Sequence, residues 1–402
     1  MRRLVMGVWL ACVGGVAPVW AQDSSGSPFA RPLATLEEAS LAVAIQDAVP
    51  AENGPSTYDQ IWRFARWYDN EDNPVVQSVL FSGRFQVDYA SVDADGGQGH
   101  HSEWNVRRFR FGAKAQLFER FTLHSEAEFN PQEADPFYMR LTDTYLQWSR
   151  NPGLQITVGK HSAPFTADGA TSSKELLTID RSNLTNNIWF TQEYFPGVSV
   201  TGERSDWVYR AGLYSAGGRN REFGDFKGSV FFLGVVGYDL ADRLDVREGL
   251  LTVDYVYQDE DPENTFTQSL GRVLSVSFRL DTGRWGLHTD VSTAAGYSRQ
   301  SDLWGVMAMP FYSVTDRLQL VARYTFLESE TLNGVRLARY ESQLVSGRGD
   351  EYHELYAGLN YYFYGHKLKF QSGLQFADMN DQADDGGAYE GVAWTSGLRV
   401  SW

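Results

Sequence analysis

The chain has 402 residues, is 43% hydrophobic and 14% aromatic, and carries 38 Gly, 13 Pro and a single Cys. Aromatic content at this level excludes a disordered chain, and one cysteine excludes a small domain built on disulfides. Its 51 acidic residues exceed its 35 basic ones, a formal net charge of −16, so nucleic acid and anionic lipid headgroups are not expected partners.

Residues 1–21 read as a cleavable secretory signal: Arg2 and Arg3 form a basic start, residues 4–16 an apolar stretch, and Val19-Trp20-Ala21 a cleavage site before Gln22. The competing reading is a lipoprotein acylated at Cys12; Trp9 suits it poorly and the apolar stretch would be very short. Cleavage after Ala21 removes Cys12 and so rules out thiol chemistry. It also takes two of the 35 basic residues, leaving 33 against 51 acidic ones, a net charge of −18.

Residues 22–77 form an N-terminal arm expected on the periplasmic side. Leu33, Leu36, Leu41, Ala44, Ile45 and Ala48 suit an amphipathic helix ended by Pro50, 53–56 reads as a linker, and 61–68 as a second short helix. The arm could plug, brace or oligomerise.

From residue 78 onward the hydrophobic period changes to two. Val79, Phe81, Phe85, Val87 and Tyr89 alternate with Arg84, Gln86 and Asp88, and Phe109, Phe111, Ala113, Ala115 and Leu117 with Arg108, Arg110, Lys114 and Gln116. That period means strand. Such segments fall near 79–91, 104–117, 121–129, 141–149, 154–159, 198–203, 207–215, 229–238, 249–258, 272–281, 285–297, 303–313, 318–328, 351–363, 367–376 and 389–402. The count is about sixteen, and the segments at 141, 229 and 303 alternate least cleanly. No mature segment reaches the roughly 18–20 apolar residues that a spanning helix requires.

Connection length alternates as well. Short links at 118–120, 151–153, 205–206, 282–284, 315–316 and 364–366 separate longer polar loops at 92–103, 130–140, 216–228, 259–271, 329–350 and 377–388. A sandwich has no reason to alternate in this way; an outer-membrane barrel has tight periplasmic turns and long extracellular loops. The expected fold is all-β, a transmembrane antiparallel barrel over 78–402, because only a closed sheet satisfies every backbone group in lipid. Its apolar face points outward, so arginine at Phe85, Leu320 or Leu374 is expected to be costly, and polar changes at Gln86 or Gln371 mild.

One loop differs from the others. Residues 161–197 contain Pro164-Phe165, a helix-compatible stretch at 173–179, and Trp189, Phe190, Tyr194 and Phe195. A long loop with its own apolar residues is usually functional; folded inward, it would narrow the lumen with Lys160, Lys174 and Arg181, and otherwise it is an extracellular lid. At the other end of the chain, Val392, Trp394, Leu398, Val400 and Trp402 form a final amphipathic strand. Its terminal aromatic is similar to the assembly signal of outer-membrane proteins, with an indole donor that can stay wet at the interface.

Several segments carry a family likeness: Tyr68-Asp69-Asn70-Glu71-Asp72-Asn73-Pro74, Phe81-Ser82-Gly83-Arg84, Arg107-Arg108-Phe109-Arg110-Phe111-Gly112, Val158-Gly159-Lys160-His161-Ser162-Ala163-Pro164-Phe165, and Thr171-Ser172-Ser173 leading to Arg181-Ser182. In these the chain resembles the phosphate-selective porin O and P family. The resemblance is close over about 61–202 and elsewhere is one of strand pattern. It implies a trimeric sixteen-stranded pore with an inward third loop and basic residues guiding anions, set in the outer membrane of a Gram-negative-type bacterium and inserted by the outer-membrane assembly machinery.

Two features depart from that pattern. Only six lysines occur: Lys114, Lys160, Lys174, Lys227, Lys367 and Lys369. By strand parity Arg84, Arg108, Arg110, Lys114, Arg210, Arg279, Arg323, Lys369 and Arg399 face a similar number of acids, among them Asp88, Glu126, Glu128, Asp254 and Glu354. A wall so balanced supports a pore more firmly than any one solute.

Glu126 and Glu128 could suggest glycosidase chemistry, yet two acids on one strand opposite arginines are more simply a charged wall. His100-His101 and Asp378, Asp381, Asp384 and Asp385 match no metal-ligand spacing, and no phosphate-cradling glycine loop or catalytic triad is present. No enzyme activity, cofactor or metal is expected. The function read from the sequence is a porin for passive diffusion of small hydrophilic solutes, anions such as phosphate among them. Its pore-lining residues are Arg84, Arg108, Arg110, Lys114, Glu126, Glu128, Arg210 and Arg323, with lipid around it. The rival readings are a secreted all-β carbohydrate-binding protein or hydrolase, and a non-conducting barrel that anchors the envelope.

Overall fold

The computed structural model describes residues 56–189, 193–219 and 221–402; the signal segment and the helix expected at 33–50 lie outside them. Sixteen antiparallel strands follow one another around a closed barrel. They are β1 (Val76–Ala94), β2 (Gly99–Leu117), β3 (Phe121–Phe129), β4 (Tyr138–Asn151), β5 (Leu154–Ser162), β6 (Tyr194–Arg204), β7 (Trp207–Ser215) and β8 (Val230–Asp239). The second half comprises β9 (Glu248–Gln258), β10 (Leu270–Asp281), β11 (Trp285–Gly296), β12 (Leu303–Ser313), β13 (Leu318–Ser329), β14 (Glu351–Tyr364), β15 (Leu368–Asn380) and β16 (Tyr389–Ser401). β16 returns to β1 with Ser401 opposite Arg84 and Gly391 opposite Ala94, so the sheet closes on itself.

Burial along the strands is inverted relative to a water-soluble protein. In β13 Leu320 and Tyr324 are exposed while Gln319, Arg323 and Thr325 are buried, because the outer face meets lipid and the inner face meets water and other polar groups. The weakly alternating segments are strands too. β8 and β12 carry apolar residues on both faces because Phe231, Leu233, Leu303, Met307 and Met309 pack in an apolar core inside the barrel. β4 loses its period at a register shift against β3 that buries the adjacent Thr142 and Asp143 together.

Two sequence expectations are corrected. The loop expected at 92–103 is mostly strand: β1 and β2 are each 19 residues long, and only residues 95–98 turn between them. At about 3.3 Å per residue such strands run roughly 60 Å, far beyond the apolar band, so Asp93 and His100 form their cross-strand contact in water, 2.9 Å apart. The short helix expected at 61–68 lies earlier in the chain, over residues 57–65, with its last turn, Arg63–Ala65, a 3-10 helix. Helix α1 (Thr57–Trp62) starts at a Ser56–Asp59 capping box and ends before Arg66–Asp69, which is extended.

The reason lies at the seam. β1 runs past the end of β16, and Arg66–Asp69 pairs with Leu80 to Ser78 where β1 would otherwise show a bare edge. Trp62 Nε1 donates to the Ser401 carbonyl at 2.7 Å, Tyr58 stacks on Tyr364, and Phe64 and Trp67 lie against Phe81. The described part of the arm therefore braces the barrel closure. Trp402 joins this cluster, with its ring 5.9 Å from Phe64 and 5.8 Å from both Phe81 and Phe111, and its indole N–H is buried without a partner. That differs from the wet interfacial indole expected. Gly83 makes the seat possible, since a Cβ there would lie 2.5 Å from the Trp402 ring.

Candidate functional site

Residues 163–189 turn into the barrel because strands of its wall offer them hydrogen-bond partners. Arg323 of β13 donates to Thr178 Oγ1 and the Asp180 carbonyl, both at 2.9 Å. Lys369 and Gln371 of β15 donate to the Leu176 carbonyl at 2.6 and 2.9 Å, Asn360 of β14 to that of Leu177 at 3.0 Å, and Arg399 of β16 to that of Ile179 at 3.2 Å. At the start of the segment, the N–H groups of Thr166 and Ala167 donate to Asp254 of β9 at 2.9 Å and Asp290 of β11 at 2.8 Å.

These bonds keep 173–179 in turns rather than the helix expected there, since helical pairing would consume the same carbonyls. The helices sit on either side, α2 (Ala167–Ala170) and α3 (Asn183–Ile188), the latter capped by Ser182. Leu184 and Ile188 of α3 join the apolar core with Phe165, Phe195 and Phe231. Gly305 of β12 allows this approach, because a Cβ there would lie 2.8 Å from Leu184 Cδ1. The inward segment is shorter than 161–197: His161 and Ser162 remain in β5, paired with Phe195 and Tyr194.

A second loop also folds inward, residues 330–350, which the sequence reading placed outside with the polar loops. Its small hairpin, Val335–Arg336 with Arg348–Gly349, docks on α3: Arg336 N–H donates to Asn187 Oδ1 at 2.9 Å, and Asn183 Nδ2 to the Arg336 carbonyl at 2.8 Å. Its apolar Val335, Leu337, Tyr340 and Val345 are buried. They are the same kind of signal that marked 161–197.

Within that loop Glu341 is held by Tyr352 at 3.0 Å, Gln375 at 2.6 Å and the Ala338 N–H at 3.0 Å. Burial, and then Glu354 nearby, push its carboxyl up to about 7. An acid with a raised folded value stabilises the docked form below its ordinary range and loses that contribution as pH rises through 7. Protease accessibility of 330–350 should therefore increase between pH 6 and pH 8, and Glu341→Gln should flatten the change. Equal accessibility at both pH values would contradict this.

Beside the two loops lies an arginine-lined wall. Arg84 and Arg110 stand directly opposite each other, a repulsive register, and Glu126 reaches both, at 3.2 Å from Arg84 and 4.0 Å from Arg110. Arg84 also donates to Ser173 at 2.6 Å; Arg110 donates to Glu128 at 3.0 Å and to Tyr194 at 2.8 Å. A bulge opposite Gln86 and Val87 inserts Arg107 beside Arg108. Arg107 meets Asp180 at 3.2 Å, and Arg108 meets Gln86 at 3.0 Å and Glu193 at 3.7 Å.

The remaining predicted residues are dispersed. Lys160 is buried on Glu222 at 3.0 Å, Lys174 reaches the Trp402 carbonyl at 3.3 Å, and Lys114 lies on β2 opposite His124. Arg181 pairs with Glu193 at 2.5 Å. Arg323 faces the loop rather than open space, 2.6 Å from Glu354. Arg210 makes no hydrogen bond or ion pair with the described residues and lines two cavities.

Three cavities with shared walls follow the inner loop. The first, about 430 Å³, is surrounded by Arg107, Arg108, Arg110, Arg140, Arg219 and Arg336, and Glu193 is its sole carboxylate among the described residues. Burial alone would push the Glu193 carboxyl up, but the guanidinium groups of Arg181, Arg108 and Arg110 hold it well below the usual range. The second cavity shares Trp189 and Glu193 with the first and adds Arg84, Arg181, Tyr194 and Arg210. The third shares Pro164, Ala170 and Arg210 with the second. Strand parity could not reveal Arg107, Arg140, Arg219 and Arg336, which sit at a bulge, near a strand end and in loops.

A closed sixteen-stranded barrel with lipid-facing apolar strands and a lumen narrowed by inward loops defines an outer-membrane porin, a channel for passive solute diffusion. The chain belongs to the phosphate-selective porin O and P family, whose profile matches residues 79–284. Solved porins share the fold. The anion-selective porin from Comamonas acidovorans is 12% identical, with a TM-score of 0.59 over 81% of this chain and 99% of that one. The outer membrane channel DcaP of Acinetobacter baumannii is 12% identical, with a TM-score of 0.57 over 81% and 97%. A loop-deletion mutant of OmpT from Vibrio cholerae is 14% identical, with a TM-score of 0.55 over 81% and 99%. No curated protein matches the sequence.

Proposed function

We propose that this porin prefers small anions, phosphate among them, and that the arginine-lined cavity above the inner loop is where the preference arises. The observation that carries it is the excess of six guanidinium groups over one carboxylate around that cavity. Guanidinium forks match phosphate and carboxylate oxygens and stay charged at any relevant pH. Arg84, Arg108 and Arg110 are partly matched by Glu126, Glu128 and Glu193, which leaves a field that attracts anions without holding them. Arg219 and Arg336 make no side-chain ion pair with the described residues and supply the surplus.

On this reading the protein has no catalytic role, works as a homotrimer as the family resemblance implies, and is inserted by the outer-membrane assembly machinery through its last strand. Deleting Trp402 should then lower assembly in cells more than refolding in detergent; equal loss in both would leave Trp402 a packing residue only. Reversal potentials of the wild-type channel in a KCl gradient test the selectivity directly, with anion preference expected. Phosphate added to chloride should reduce the current if it enters the same cavity, and cation preference would overturn the reading.

A further inference from the structure

The short-turn, periplasmic rim of the barrel presents one side-chain arrangement twice on its lipid face. In the first, Trp207 of β7 stands directly opposite Tyr238 of β8 with their rings 4.9 Å apart, and the Arg243 guanidinium lies over the Tyr238 ring at 4.9 Å. In the second, Trp285 of β11 stands directly opposite Tyr312 of β12, and the Arg284 guanidinium lies over the Tyr312 ring at 5.5 Å. Both tryptophans are half exposed, as aromatic rings at a membrane interface are.

The two arrangements differ in one group. In the first, Asp206 supplies an oxyanion: its Oδ2 accepts from the Tyr238 hydroxyl at 2.7 Å and lies 3.5 Å from Arg243. In the second, no carboxylate of the described residues takes that place. Arg284 has no ion pair there, and neither the Tyr312 hydroxyl nor the Trp285 indole N–H has a hydrogen-bond partner among the described residues. Asp281, at the start of the turn, accepts from the Gly283 N–H and pairs with Arg247 at 2.5 Å. The turn is nevertheless fixed, because Thr282 Oγ1 donates to the Trp285 carbonyl at 2.8 Å and the Ser313 N–H to that of Arg284 at 2.7 Å.

We propose that Arg284, Trp285 and Tyr312 form a binding site for a glycerophospholipid of the periplasmic leaflet, whose phosphodiester oxygen takes the place that Asp206 holds in the first arrangement. Stacking on Tyr312 uses the face of the guanidinium and leaves its N–H edge for oxygen acceptors. The indole and phenol donors beside it meet the same headgroup, and the acyl chains run along Leu287 and Pro310, the next pair on that face. The acid excess of the whole chain does not oppose this, since the acid at this turn is already taken by Arg247. The site lies outside the lumen, so it stands apart from what the pore passes.

The test is native mass spectrometry of the full-length protein in detergent, titrated with palmitoyl-oleoyl phosphatidylglycerol and, in parallel, with an uncharged monoglucosyl diacylglycerol of the same chains. The phospholipid should be retained about tenfold more tightly than the glycolipid, and Arg284→Gln should remove that advantage. Asp206→Asn, which takes the built-in oxyanion out of the first arrangement, should add a second tightly held phospholipid per chain. Heat-modifiable migration verifies that each variant is folded. Equal retention of the two lipids by the wild type, or an Arg284→Gln variant that holds the phospholipid as the wild type does, overturns the site. So does an Asp206→Asn variant that gains no phospholipid, because the first arrangement would then be no guide to the second.

Discussion

Replacing Leu374 with arginine should cost the folded barrel about 2–4 kcal/mol. Leu374 lies at the middle of β15, 45% exposed on the outer face, with Ala357 and Trp394 as its cross-strand neighbours. A guanidinium placed there must be desolvated in lipid or distort the bilayer to reach water. The same change at Trp285, the first residue of β11, should cost only about 0–1 kcal/mol, because near the interface the side chain can reach water. Denaturant titration in lipid vesicles measures both, and equal costs at the two depths would contradict the lipid-facing assignment. Inner-face positions are poor mild controls, contrary to what parity alone suggests. Gln371 donates to the Leu176 carbonyl at 2.9 Å and to Asn360 at 2.8 Å, and Gln86 donates to the Ser173 carbonyl at 2.8 Å.

Arg323→Met should be more damaging still, by about 3–5 kcal/mol, because it leaves a buried charge without its partner. Glu354 is fully buried, and without Arg323 keeps only Thr325 at 3.3 Å and Tyr352 at 3.4 Å. The substitution also removes two bonds that fix the inner loop at Thr178 and Asp180, so open-channel current noise should rise together with the loss of stability. Replacing Glu354 with methionine as well should restore most of the stability, since an apolar pair can substitute for a buried ion pair. It should not restore the loop anchors, and the noise should persist. A single variant within about 1 kcal/mol of wild type would show that Glu354 is solvated in place and that the loop is held elsewhere.

Much of the barrel was legible because lipid imposes a simple rule. Strands such as β13 and β16, which face lipid on one side and water or polar groups on the other, alternate cleanly and could be read residue by residue. β8 and β12 were harder, because their inner faces pack on the folded loops and are apolar as well. Of the site, Arg84, Arg108, Arg110, Glu126 and Glu128 were legible from parity, since they occupy regular ladder positions on adjacent strands. Arg107 was not, because a one-residue bulge reverses parity locally, and only the register reveals it. Arg323 had the right face, but parity cannot tell a side chain that meets water from one covered by a loop. The inward course of 330–350 was signalled by Val335, Leu337, Tyr340 and Val345, whose weight was hidden by Arg336, Arg339 and Glu341 between them. The turns at 173–179 were beyond local reading, because the groups that hold them open come from β14, β15 and β16, about 180 to 220 residues away in sequence.

The most direct measurement is the reversal potential, in a KCl gradient, of the wild-type channel beside Arg107→Gln/Arg108→Gln/Arg140→Gln. All three arginines border the cavity of about 430 Å³ above the inner loop, and heat-modifiable migration verifies that the triple variant is folded. The wild type should prefer anions, and the triple variant should move toward zero or cation preference while conductance stays on the same scale. A wild type that prefers cations, or a triple variant with an unchanged reversal potential, would contradict the claim that this arginine-lined cavity sets what the pore passes.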